Sequence, residues 1–155
     1  MDWYLAVKTA HIVSASVLFG TGMGIAFFMW RSRAAESLQE RLFAARYTVA
    51  ADYIFTLPAV IVQPLTGFWL IHAGGFDPGE FWLVATYALF ALSGICWLPV
   101  VWIQIQLKTM TAASLEHGTA LPDRHHRLFR IWFLLGIPAF AAVIAMFGLM
   151  VVKPA

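Results

Sequence analysis

Four apolar runs, each long enough to cross a hydrocarbon layer about 30 Å thick, constrain this chain more than any other feature. They cover about residues 3–30, 47–72, 80–107 and 128–152 of 155. A soluble domain usually carries about 25% charged residues, whereas here 12% are charged, 61% are apolar and the mean hydropathy is +0.78. So few charges cannot cover so much apolar surface in water. The sequence therefore predicts an all-α, polytopic membrane protein, a four-helix transmembrane bundle forming a single domain over residues 1–155. The formal charge of +2 offers no electrostatic case for nucleic acid. The lone cysteine, Cys96, excludes an intrachain disulfide and a multi-cysteine metal or iron–sulfur site.

The connections set the orientation. The first run ends at Arg31-Ser-Arg33; it is too long for a signal peptide and no cleavage site follows it, so it is expected to be retained. Residues 31–46 alternate charge with Leu38, Leu42 and Phe43 and read as an amphipathic surface turn or helix. The second run closes at Ala73-Gly-Gly-Phe-Asp-Pro-Gly79, where glycine and proline stop a helix. With four spans, segments 31–46 and 108–127 share one side, and the 74–79 turn shares the other with both termini. Arg31, Arg33, Arg41, Arg46, Lys108, Arg124, Arg127 and Arg130 flank the first side, against Lys8 and Lys153 on the second. By the positive-inside rule the basic side is cytoplasmic and both termini lie outside.

Polar side chains within the runs should face the bundle, a water-filled pocket or a ligand, because each costs a few kcal/mol against lipid. His11 lies about 12 Å below the outer end of the first helix. Lys8 is one turn above it, close enough to snorkel. Asp52, Thr56, Gln63 and Thr66 fall within roughly 80° on the second helix, and His72 lies roughly opposite, at the interface, unless Pro58 and Pro64 kink the helix and turn it. On the third, Thr86, Phe90, Ser93, Trp97 and Gln104 fall within roughly 40°. His11, Gln63, Thr66 and Thr86 reach about the same depth. Ser16 to Gly24 is a small-residue series that lets backbones approach closely or leaves space for a flat ligand, and the fourth helix reads as an apolar wall.

An intramembrane histidine can ligate haem, relay protons or hydrogen-bond a neighbouring helix. Asp52 reads as a partner for Arg46 or a helix-start cap, and His117, His125 and His126 as solvated loop residues.

The runs Lys8-Thr-Ala-His11-Ile-Val-Ser-Ala-Ser-Val-Leu-Phe-Gly20-Thr-Gly, Ala51-Asp52-Tyr-Ile-Phe-Thr56-Leu-Pro58, Gln63-Pro-Leu-Thr66-Gly67-Phe-Trp-Leu and Cys96-Trp-Leu-Pro99-Val-Val-Trp-Ile-Gln104 resemble the predicted integral membrane proteins grouped as domain of unknown function 2269. More distantly, Val7-Lys8-Thr-Ala-His11, Pro58-Ala59 with Gly67, and Trp82-Leu83 are similar to HemJ-type protoporphyrinogen oxidases and CopD-like membrane proteins. That resemblance implies a cytochrome b-like redox or electron-transfer protein of a bacterial cytoplasmic (inner) membrane, with b-type haem in the outer half. His11 would be the metal ligand and Lys8 would reach a propionate, while Gln63, Thr66 and Thr86 would supply surrounding hydrogen bonds. A redirected His72, another membrane subunit or a second copy would complete the iron, unless that position stays open to a quinone or porphyrin. Thr86 stands where HemJ-type proteins carry a lysine, which separates haem binding from oxidase chemistry and leaves enzymatic activity open. The rival readings are a cofactor-free accessory protein with His11 as an interhelical hydrogen-bond group, and a small-solute or proton pathway along Asp52, Thr56, Gln63 and His11.

Overall fold

The computed structural model describes residues 2–154. Helix α1 (Trp3–Arg31) opens on Asp2, whose side chain accepts from the Tyr4 amide at 3.0 Å, and ends in a 3₁₀ turn at Ser32–Ala34. Helix α2 (Leu38–Ala51) starts at Ser37-Leu-Gln-Glu40, where the Ser37 hydroxyl accepts from the Glu40 amide. A π-helical turn (Asp52–Thr56) then runs without a break into α3 (Leu57–Gly74). Helices α4 (Phe81–His117) and α5 (Asp123–Val152) complete the chain, and no strand forms among the described residues. Four continuous helices are thus long and apolar enough to span a membrane. Their outer surfaces agree: Ile54, Leu65, Ile95, Leu98, Ile137 and Ile144 are all exposed, which suits contact with lipid tails.

Helices run beyond the apolar stretches at the end bearing the basic residues, here called the basic end; the opposite, terminal end holds residues 75–80 and both chain ends. The segment 38–46 is helical because it has a buried stripe. Leu42, Ala45 and Val49 recur at helical spacing and pack toward α4, leaving the charges on the other face. The 108–127 segment holds the last turns of α4, a short connection after Gly118 and the start of α5. Gly75 and Gly118 adopt left-handed backbone at φ of 68° and 62° to end α3 and α4.

Proline 58 accounts for the π turn. It has no N–H for the carbonyls of the preceding turn and its ring crowds them, so the helix widens and the Leu57 amide reaches back five residues to the Asp52 carbonyl.

Packing is uneven along the bundle axis. One cluster of buried apolar residues, Ile25, Met29, Ala45, Ile103, Leu107, Leu128, Phe129 and Trp132, fills the basic half. The buried positions nearer the terminal end are fewer: Trp82 and Leu83 at the start of α4, with the smaller Ser14, Ala59, Thr86 and Ala142. There α3 pairs with α1, and α4 with α5; Phe68 and Tyr87, with ring centroids 5.8 Å apart, bridge α3 to α4. At the terminal end itself, the Lys153 ammonium sits 4.5 Å from the Phe76 ring and 5.4 Å from the Trp82 ring, fastening the end of α5 to the α3–α4 turn.

Candidate functional site around His11

The imidazole of His11 is half-buried where α1 meets α3. Its Nδ1 lies 2.7 Å from the Thr66 hydroxyl. That hydroxyl has one proton, which it donates to the Val62 carbonyl at 2.7 Å, with the Gln63 carbonyl at 3.2 Å. With that proton on Val62 the hydroxyl accepts from the ring, and in this arrangement Nδ1 carries hydrogen and Nε2 carries the lone pair. Nε2 makes no hydrogen bond among the described residues and is not sealed in. The ring packs against α3 at Gly67, where a Cβ would lie in van der Waals contact, 3.4 Å from Cε1.

Gln63 completes the arrangement. Its amide nitrogen donates to the His11 main-chain carbonyl at 2.8 Å and to the Ser14 hydroxyl at 2.5 Å. Ser14 was not anticipated from the sequence, although a serine three residues after a buried histidine occupies the same helix face.

Of the six residues singled out beforehand, the structure brings together His11, Gln63 and Thr66. Thr86 is buried on α4, but its hydroxyl donates to the Trp82 carbonyl at 2.7 Å. Lys8 and His72 are exposed, and α3 carries His72 in its last turn. Shallow grooves at the basic end, one around Trp30–Ala34 and one around Phe43, Arg46 and Tyr47, do not touch His11.

The polar stripe of the second helix divides into two groups. Gln63 and Thr66 meet α1, whereas Asp52 accepts from Trp97 of α4 at 3.4 Å. Between them Thr56 and Gln63 are separated by about 10 Å of helix, with buried Ala59 on the way. Hydrogen bonds therefore do not connect Asp52 to His11. Neither expected role of Asp52 holds: it lies within a continuous helix that begins at Leu38, and its neighbours are Thr56, Trp97 and Gln104 rather than Arg46. His125 also departs from expectation. It is buried, and Nε2 lies 3.2 Å from the Thr111 hydroxyl, which donates to the Leu107 carbonyl.

The family model for a predicted integral membrane protein, DUF2269, matches residues 5–154. The chain belongs to this family. No curated protein and no solved structure matches it. Membership establishes an integral membrane protein and assigns no chemistry to the site.

Proposed function

We propose that this protein binds b-type haem in the terminal half of its bundle, with His11 as an axial ligand, and acts in electron transfer. The observation that carries the reading is the orientation of one ring: Nδ1 is turned to the Thr66 hydroxyl, and Nε2, which makes no hydrogen bond among the described residues, is the nitrogen left free to ligate. Histidines that ligate metals are held this way, by a hydrogen bond from the second ring nitrogen that fixes tautomer and direction. Bound haem would supply one-electron chemistry. The chain's own part is to orient His11, exclude water with lipid-facing helices, and offer exposed Lys8 to a propionate. Because His72 is exposed at the end of α3, the second axial position falls to a group outside this bundle or stays open to a quinone or porphyrin.

The visible spectrum of protein purified from haem-replete cells tests this reading. A Soret band is expected, and colourless, well-folded protein would overturn it. Thr66→Val keeps the shape of the side chain but removes the acceptor, so haem affinity is expected to fall about 10- to 100-fold. Haem titration of the stripped protein measures that loss.

A specific observation favours a second reading. Gln63, Thr66, Ser14 and His11 already tie α1 to α3 through their own hydrogen bonds. On this reading the cluster is an interhelical clamp in a cofactor-free accessory protein, and the colourless outcome selects it.

We also infer that the basic end faces the cytoplasm, from the eight basic residues that flank it against Lys8 and Lys153 opposite. Cys96 is buried, so introduced cysteines can report sidedness. An impermeant thiol reagent is expected to label Asp77→Cys on intact cells and Glu36→Cys only after permeabilisation. The reverse pattern would invert the topology.

A further inference from the structure

The residues around the π turn form a second polar site that the haem reading leaves unused. Asp52, Thr56 and Gln104 are 4%, 5% and 2% exposed. Asp52 Oδ2, Thr56 Oγ1 and Gln104 Oε1 are all sealed from the surroundings with no hydrogen-bond partner within 3.5 Å, while Thr56 and Gln104 both lie near enough to interact with the Asp52 carboxyl. Trp97 supplies one N–H to the other carboxylate oxygen, at 3.4 Å. No charged side chain of α1, α2, α3 or α4 faces the carboxyl; its neighbours are Thr56, Trp97 and Gln104. Three under-satisfied oxygens, one of them on a carboxylate, are thus held together in the low-dielectric interior. Buried polar atoms are rarely left this way. π turns inside helices often mark functional sites.

The charge count decides what can bind. A carboxylate with no counter-charge is poorly tolerated at this depth. Among the described residues no cluster of three histidine, cysteine or acidic side chains forms anywhere, so a divalent ion here would keep a net positive charge. One positive charge leaves the site neutral.

We propose that Asp52, Thr56 and Gln104 bind a single small monovalent cation, sodium or a proton, reached from the basic end. The carboxylate supplies the charge, while the hydroxyl and amide oxygens of Thr56 and Gln104 surround a metal ion or accept the acid proton. Arg46 and Lys108, the nearest basic residues along the two helices, lie about 9 and 6 Å away by helical rise, so the site sits close beneath that surface. The proposal stands apart from haem, since colourless protein leaves it untouched.

Thermal melting of the full chain in detergent tests it. If the ion is sodium, replacing choline chloride with sodium chloride at pH 8 and equal ionic strength raises Tm by about 5 to 10 °C. If it is a proton, sodium has no effect and lowering the pH from 8 to 6 in choline chloride gives the rise. Asp52→Asn is expected to lose the sodium response, and on acidification to show only the fall in Tm set by buried neutral His125, whose pKa burial lowers to about 4. A wild-type protein indifferent to both conditions, or an Asn variant that keeps the wild-type response, would overturn the site. Should that variant fail to fold, infrared difference spectra of the wild type decide, because exposed carboxylates stay ionised across this pH range. A carboxyl band responding to sodium or acid supports the site, and its absence removes it.

Discussion

Alanine in place of His11 is expected to abolish the Soret band of the purified protein while leaving the bundle folded. The second half of that expectation makes the experiment decisive. Gln63 donates to the main-chain carbonyl of residue 11 and to Ser14, and neither bond involves the imidazole. Thr66 keeps its own donation to Val62. The variant therefore strands no buried polar group and should lose only about 1–2 kcal/mol of α1–α3 contact. Loss of colour with an unchanged helical spectrum and a small drop in Tm then reports ligation rather than unfolding. His117→Ala, at the far end of α4, should retain the band, and added imidazole should restore part of it in His11→Ala. A band that survives in His11→Ala would place any haem elsewhere.

The second large effect concerns stability. Leu107 is fully buried within the cluster that includes Ile25, Met29, Ile103 and Trp132. Leu107→Ala is expected to cost about 2–4 kcal/mol, because a cavity in a close-packed interior forfeits contacts that the neighbours recover only partly. Ile95 sits twelve residues earlier on the same helix and is 69% exposed to the bundle's outer surface. Ile95→Ala should cost under about 1 kcal/mol, since lipid tails close around the smaller side chain. Melting both variants in one detergent measures the contrast. Equal losses would mean that the basic half is not the structural anchor of the bundle.

Much of this arrangement was legible in the sequence. Apolar length and sparse charge predicted a four-helix membrane bundle, and rise arithmetic placed His11 level with Gln63 and Thr66, which the structure joins by hydrogen bonds. Thr86 satisfied the same arithmetic, but depth does not say which partner a hydroxyl takes, and a threonine inside a helix readily donates four residues back. The division of the second-helix stripe was hidden for a different reason. A uniform 100° per residue cannot anticipate the extra residue that Pro58 forces into the π turn. Asp52 was referred to Arg46 because both stood near the end of an apolar run; the helix that begins at Leu38 places the carboxyl inside instead. The Leu42, Ala45 and Val49 stripe that signals this extension was present among the charges of residues 31–46 and was outweighed by them. His125 was likewise read from polar neighbours in sequence, whereas its environment comes from Thr111 on another helix.

The unequal reach of the helices has a consequence for encounters with soluble molecules. Helix α4 has 37 residues, about 55 Å of rod, against about 30 Å of hydrocarbon, and the surplus emerges beside α2 and the start of α5. On that side the described residues form a helical collar beyond the apolar layer; on the other they form the α3–α4 turn. Proteases or crosslinkers applied to the basic face should therefore reach the last turns of α4 and the start of α5.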